Sequence, residues 1–163
     1  MKKEISFTKE DLDLFYKIID SNEFKQLKKY YAHKSISVYE HSINVALESY
    51  KFAVTHKMKI NHHDLIIGAL LHDFYLYDWH NHISRPLGKK LHGYSHPIVA
   101  LNNASKFVKI DKKISNIIRS HMFPLTLFHF PKCKEAWLVC YFDKIVATNE
   151  IRGKDKIYKI KTI

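Results

Sequence analysis

Two cysteines, four glycines and four prolines in 163 residues leave this chain with few cross-links to make and little turn punctuation. Cys133 and Cys140 lie on one apolar helical segment. They are too few and wrongly spaced for a disulfide framework or a four-thiolate zinc site, and read as buried thiols of a reducing compartment, the cytoplasm. So few chain breakers argue against a turn-rich β architecture and favour long helices. Arginine is scarce too: Arg85, Arg119 and Arg152 are the only ones among 27 basic residues, so the net charge of +11 is largely lysine's. Readers of nucleic acid rely on arginine forks at phosphates and base edges, so no nucleic-acid partner is expected. The charge reads instead as a solvated lysine face or as attraction for an anionic substrate. No apolar stretch approaches the roughly 18 residues that span a bilayer, and the opening Met1-Lys2-Lys3-Glu4 leads into no apolar run. Neither a membrane segment nor a secretory signal is expected.

What the chain does have is histidine, twelve of them, in an otherwise ordinary mixture of 46% apolar and 26% charged residues. An excess of imidazole invites a metal reading. The length fits a single domain over 1–163, with a core about 30–150, an N-terminal helical extension 8–29 and a short C-terminal extension 154–163.

Helical signals recur along the chain. Thr8 caps a first helix with Glu10 and Asp11 in its first turn, and Ser21 or Asn22 caps a short second one ending about Lys29. Tyr30 to Lys34 reads as a connector. From Ser35 to Val38 a third helix begins, with Val38, His41, Val45, Tyr50, Phe52 and Ala53 on one broad face. Taken alone, His41 reads equally as a core histidine bonded to a backbone carbonyl. Asn61 caps the next helix, with Asp64 three residues on; His62 and His63 at its start are expected to face solvent. Leu65 to Leu71 are nearly continuously apolar, which places this helix at the centre and delivers His72 and Asp73 there.

The stretch from Phe74 to Lys90 interleaves Tyr75, Tyr77, Trp79, His80 and His82 with Arg85, Pro86, Gly88, Lys89 and Lys90. It reads either as a surface loop packing its rings on the core or as a substrate lid. Ser95 is the expected N-cap of the helix that follows, with Pro97 in its first turn and His96 at its entrance. Asp111 caps a helix with Ile114, Ile117, Ile118 and His121 on one buried stripe. Pro124 and Pro131 bracket a loop. The last long helix, about Lys134 to Asn149, reads as mostly buried through Ala136, Trp137, Val139, Cys140, Ile145, Val146 and Ala147. Asp143 lies within that run, where a bare carboxylate costs several kcal/mol unless paired, protonated or bound to metal. Gly153 ends the helix.

Five elements thus bring a polar ligand into an apolar context: His41, His72 with Asp73, His96, His121 and Asp143. The order His41, His72-Asp73, Asp143 resembles the signature of the HD-domain superfamily of metal-dependent phosphohydrolases. His96 and His121 resemble the additional ligands of the members that hold two metals. Tyr75-Leu76-Tyr77-Asp78-Trp79, Leu91-His92-Gly93-Tyr94-Ser95-His96-Pro97 and His121-Met122-Phe123-Pro124 are similar to a small bacterial subgroup. The resemblance covers about 30–150.

It implies an all-α, HD-type helical bundle of six to seven helices. His41, His72, Asp73 and Asp143 would bind one divalent metal, with Asp73 bridging to a second held by His96 and His121. Iron or manganese is favoured, with zinc, nickel or magnesium the alternatives. Asp73 and Lys144 would be catalytic, Lys144 having a plain solvated lysine as its other reading. Arg85, Lys89 and Lys90 would contact phosphate, His92 would be a phosphate contact or a ligand, and Tyr75, Tyr77 and Trp79 would stack a base. The expected activity is hydrolysis of a nucleotide or another small phosphate ester. A di-iron oxygenase on the same scaffold and a non-catalytic metal-containing signalling module are the alternatives, because a fold does not fix a reaction.

Overall fold

The structure is a computed structural model that describes residues 3–33, 35–80, 92–153 and 158–162. Its elements run β1 (Lys3–Phe7), α1 (Lys9–Ile19), α2 (Asn22–Lys25), a 3-10 turn (Gln26–Lys29), β2 (Tyr31–His33), β3 (Ile36–Ser37), α3 (Val38–Thr55), α4 (His62–Leu71), α5 (His92–Phe107), α6 (Lys112–Ser120), α7 (Lys134–Ile151) and β4 (Tyr158–Thr162). The class is all-α, as the sequence implied, with two small two-stranded sheets added at the edges.

The helix starts follow local side-chain chemistry. Thr8, Ser21, Asn61 and Asp111 each accept the backbone N–H three residues on, at 3.1, 3.1, 3.1 and 2.7 Å. Ser37 and Glu40 close a reciprocal capping box at the head of α3. Each cap satisfies an orphan donor and contributes about 1 kcal/mol. At the other end of α7, Gly153 takes φ +67, a conformation that disfavours a Cβ, and stops the helix.

Helix α4 is the axis of the molecule. Every residue from Asp64 to Leu71 is buried, and α1, α3, α6 and α7 pack around it. Gly68 lets α6 come close: a Cβ there would lie 2.5 Å from Ile117 Cγ2. This close seam sets α4 and α6 side by side, so that both end in the same place.

Several local expectations differ from what forms. Tyr30 to Lys34 was expected as a connector, but β2 and β3 pair antiparallel there. In the expected C-terminal extension, β4 pairs in parallel with β1, Lys3 opposite Tyr158 and Phe7 opposite Thr162. Phe7 is fully buried and stacks on Tyr50 at 4.1 Å. Helix α5 begins at His92 rather than at Ser95, and Pro97 lies inside it. The extra turn is held by His92, whose ring stacks on Trp79 and whose Nδ1 is 2.9 Å from the Tyr77 hydroxyl. His63 faces solvent, whereas His62 is half-buried: its Nδ1 lies 3.0 Å from Asp11 Oδ2, which also accepts the Tyr50 hydroxyl at 2.6 Å. Helix α7 extends to Ile151, and Trp137 and Ile145, expected inside, lie on its outer side.

Candidate metal centre

Helices α4 and α6 end by the same device. His72 is the C-cap of α4 and its Nδ1 donates to Ala69 O at 2.7 Å; His121 is the C-cap of α6 and its Nδ1 donates to Ile118 O at 2.7 Å. Each imidazole takes a carbonyl that the helix leaves unsatisfied, and the proton on Nδ1 leaves Nε2 as a lone pair. His96, in the second turn of α5, repeats the arrangement with His92 O at 2.8 Å. His41, in the first turn of α3, directs its Nδ1 at Glu150 Oε2, 2.8 Å away.

All four Nε2 atoms face two carboxylates. Asp73 divides its oxygens: Oδ2 lies 3.9 Å from His41 Nε2 and 3.6 Å from His72 Nε2. Its Oδ1 lies 3.1 Å from His96 Nε2 and 3.3 Å from His121 Nε2. Asp143 Oδ1, from α7, is 3.1 Å from His41 Nε2 and 3.6 Å from His72 Nε2. These atoms form overlapping groups of three, all within 4.8 Å of one another: His41, His72 and Asp73; His72, His121 and Asp143; Asp73, His96 and His121. Sequence reasoning selected these six residues, and the fold brings them together.

His41 Nε2 and Asp143 Oδ1, 3.1 Å apart, make a hydrogen bond, but other atoms of the cluster are left unsatisfied. Asp73 Oδ1 and His72 Nε2 are buried without a hydrogen-bond partner, although their neighbours lie within 3.1 to 3.6 Å. The Nε2 atoms of His96 and His121 meet at 2.8 Å, two lone pairs aimed at each other once Nδ1 carries each proton. Two carboxylates converging with four imidazoles in an apolar interior need positive charge among them, from a bound cation or, without one, from protons on the imidazoles. The C-terminal ends of α4 and α6 add the negative ends of two helix dipoles. This donor set fits divalent first-row metals.

Protonation tendencies report the same field. Burial alone would lower the His41 pKa, but bonds to Asp143 and Glu150 outweigh it and push the pKa up to about 10. Burial would raise Asp73, yet His72, His96 and His121 hold it well below the usual carboxylate range, and His41 and His72 do the same for Asp143. Burial and the neighbouring His96 lower His121.

Two participants escaped the sequence reading. Glu150 is 4% exposed, accepts Asn44 Nδ2 at 3.0 Å and orients His41. It stands seven residues after Asp143 on the same helix, so the two-turn spacing was the available signal. His33 on β2 sits edge-on to His41, with ring centroids 5.4 Å apart. A cleft of about 270 Å³ opens beside the cluster, lined by Asp73, His96, His121 and Asp143 together with His33, Tyr75, Trp79, His92 and Lys144. Lys144 Nζ donates to His121 O at 2.8 Å and Cys140 O at 3.1 Å. His92 lines the cleft but lies outside the grouped ligands. Arg85, Lys89 and Lys90 fall outside the described residues. A larger cavity, about 680 Å³ between α1, α4 and α6, touches none of the six and is not where this chemistry lies.

A helical bundle with one buried carboxylate flanked by four imidazoles and a second carboxylate defines a class: helical proteins built around a candidate divalent-metal centre. The family model of the HD domain matches residues 38–148, and the chain belongs to that family. HD domains bind divalent metals and are in general metal-dependent hydrolases. No curated protein and no solved structure matches.

Proposed function

We propose that the chain is a binuclear metal-dependent phosphohydrolase acting on a nucleotide or another small phosphate ester in the cytoplasm. The observation that carries this reading is the divided carboxylate of Asp73, one oxygen toward His41 and His72 and the other toward His96 and His121. His41, His72, Asp73 and Asp143 would hold one ion, and Asp73, His96 and His121 the other, with iron or manganese suited to such nitrogen and oxygen donors. When bound, paired divalent ions supply an activated water and charge neutralisation at phosphorus.

The chain's own residues do the rest. The acceptors on the four Nδ1 atoms hold each ring in one tautomer and one orientation. Lys144 holds His121 in place through its backbone carbonyl and puts a positive charge beside the cleft. Trp79 and His92, stacked 4.9 Å apart at 14°, give the cleft an aromatic edge beside the proposed centre. The free thiols Cys133 and Cys140 accord with a reducing compartment.

The test is metal analysis of the purified chain, followed by phosphate release from a panel of nucleotides and phosphate esters. Release that is abolished in Asp73→Ala supports the reading. His72→Ala and Asp143→Ala should each lose metal while keeping their helical circular dichroism. Oxygen uptake without phosphate release, or bound metal with no turnover of any ester, overturns it.

A further inference from the structure

The four imidazoles of the proposed centre each have an acceptor for Nδ1. His33, beside them, has none. Among the described residues its ring makes an edge contact with His41 and no hydrogen bond. It is half-buried rather than enclosed, and it lines the cleft with Asp73, Asp143 and Lys144. A ring without an internal partner keeps its N–H for whatever enters that cleft.

The position of His33 is nevertheless set by its surroundings. It pairs with Ile36 across the hairpin of β2 and β3, and the register shifts between Tyr31 and His33. Such a bulge re-aims a side chain, and bulges are frequent beside active sites. The hairpin leads directly into Ser37, the N-cap of the helix that carries His41. Two bonds tie it down: Trp79 Nε1 donates to Tyr31 O at 3.0 Å, and Val38 N to Tyr30 O at 2.8 Å. The ring of His33 thereby stands against His41, with centroids 5.4 Å apart and planes at 88°.

Two other roles fit this geometry less well. A nitrogen of His33, one of His41 and a carboxylate oxygen of Glu150 lie within 4.8 Å of one another, which suggests a third ion site. Yet both nitrogens of His41 are engaged, Nδ1 with Glu150 and Nε2 with Asp143, so none is left to share with His33. Orienting His41 is the second role, and Glu150 already performs it.

We infer that His33 is a substrate-contacting residue, its ring donating a hydrogen bond to a phosphoryl oxygen held at the centre. This rests on the phosphohydrolase reading above. Lys144 borders the cleft from α7 and His33 from β2, so the anion meets a positive charge from one element and a neutral donor from another. A donor fixed in advance needs no reorganisation when the anion arrives. A hydrogen bond to a charged group contributes about 10- to 100-fold in binding or rate.

The test compares His33→Ala, His33→Gln and His33→Asn with the parent, all loaded with manganese. Inorganic phosphate is titrated into each by calorimetry, and phosphate release is followed on the ester panel. His33→Ala should keep its circular dichroism and bind manganese within twofold of the parent, because the ring is no ligand. It should bind phosphate at least about tenfold more weakly and lose about 10- to 100-fold in kcat/KM. Glutamine and asparagine each bring an amide N–H near one of the ring nitrogens, so one of them should recover part of the loss. If the alanine variant misfolds, those two carry the comparison. Loss of manganese with the ring makes His33 a ligand and overturns the inference. So does a parent that binds no phosphate, phosphate binding in His33→Ala within twofold of the parent, or the same deficit in all three variants. A parent that hydrolyses no ester fails the functional reading alone: phosphate binding that still depends on His33 upholds the contact, and binding that does not overturns it.

Discussion

Replacing Glu150 by glutamine separates orientation from ligation at the proposed centre. Both neighbours of the Glu150 carboxylate donate to it: Asn44 Nδ2 to Oε1 at 3.0 Å and His41 Nδ1 to Oε2 at 2.8 Å. Glutamine has the same shape but only one acceptor, so one neighbour must face an NH2 group. If the amide oxygen turns to His41, two NH2 groups meet at Asn44. If it turns to Asn44, the amide donates to His41 Nδ1 and shifts the proton to Nε2, the atom aimed at Asp73 and Asp143. Either way His41 also loses the carboxylate that makes Nε2 more basic. Loss of such an outer partner lowers metal affinity by about 10- to 100-fold, or about 1.4–2.8 kcal/mol at about 1.4 kcal/mol per tenfold. Competition against a chromophoric chelator at neutral pH reads the change directly. Glu40→Ala is the control, one residue from His41 in sequence. It opens the capping box of α3, should cost about 1 kcal/mol of folding stability, and should leave metal affinity alone. Affinity in Glu150→Gln within twofold of the parent would refute the reasoning, because His41 would then need no carboxylate to present Nε2.

Two further outcomes follow from packing and from charge. Gly68→Ala gains about 1 kcal/mol of helix propensity, but drives a methyl group to 2.5 Å from Ile117; overpacking should win, for a net loss of about 1–2 kcal/mol in urea unfolding, and a stabilised variant would mean the seam between α4 and α6 yields. Glu135, buried, accepts the Asn61 N–H at 2.8 Å and Lys113 at 3.3 Å. Burial raises its pKa, but these bonds outweigh that and hold it below 4.5. Its contribution is therefore complete above about pH 4.5 and fades as pH falls through the lowered value. Glu135→Gln should be less stable than the parent by about 1 kcal/mol near neutrality, with the gap closing in acid; a gap that persists in acid would contradict this.

How much of this was legible in advance depends on the range of the interaction involved. The caps at Thr8, Asn61 and Asp111 are encoded within four residues, and they form where that chemistry places them. The six convergent side chains were legible because each sits on an apolar stripe or at the inward end of a helix, where a polar group needs a reason. Glu150 was not singled out, since an acidic residue near a helix end usually faces water; its role depends on His41, more than a hundred positions away. His33 was obscured because Tyr30 to Lys34 holds no regular period and becomes a strand only by pairing with Ile36–Ser37. Ser95 and Pro97 read as a helix start on local rules, and ring stacking around His92 overrode them. In α7, apolar residues on every side concealed which side would be covered.

The pairing of β1 with β4 has a consequence for how the molecule forms. Residues near the two ends of the sequence, Lys3 and Tyr158, meet only after the whole helical body has been laid down between them. Closing so long a loop is entropically costly until that body is compact. The first strand must therefore wait for the last, although Phe7 already has its seat beside Tyr50. A chain still emerging from the ribosome would carry this strand with one edge open, and the pairing is a clasp that fastens only once Tyr158–Thr162 has followed the helical body.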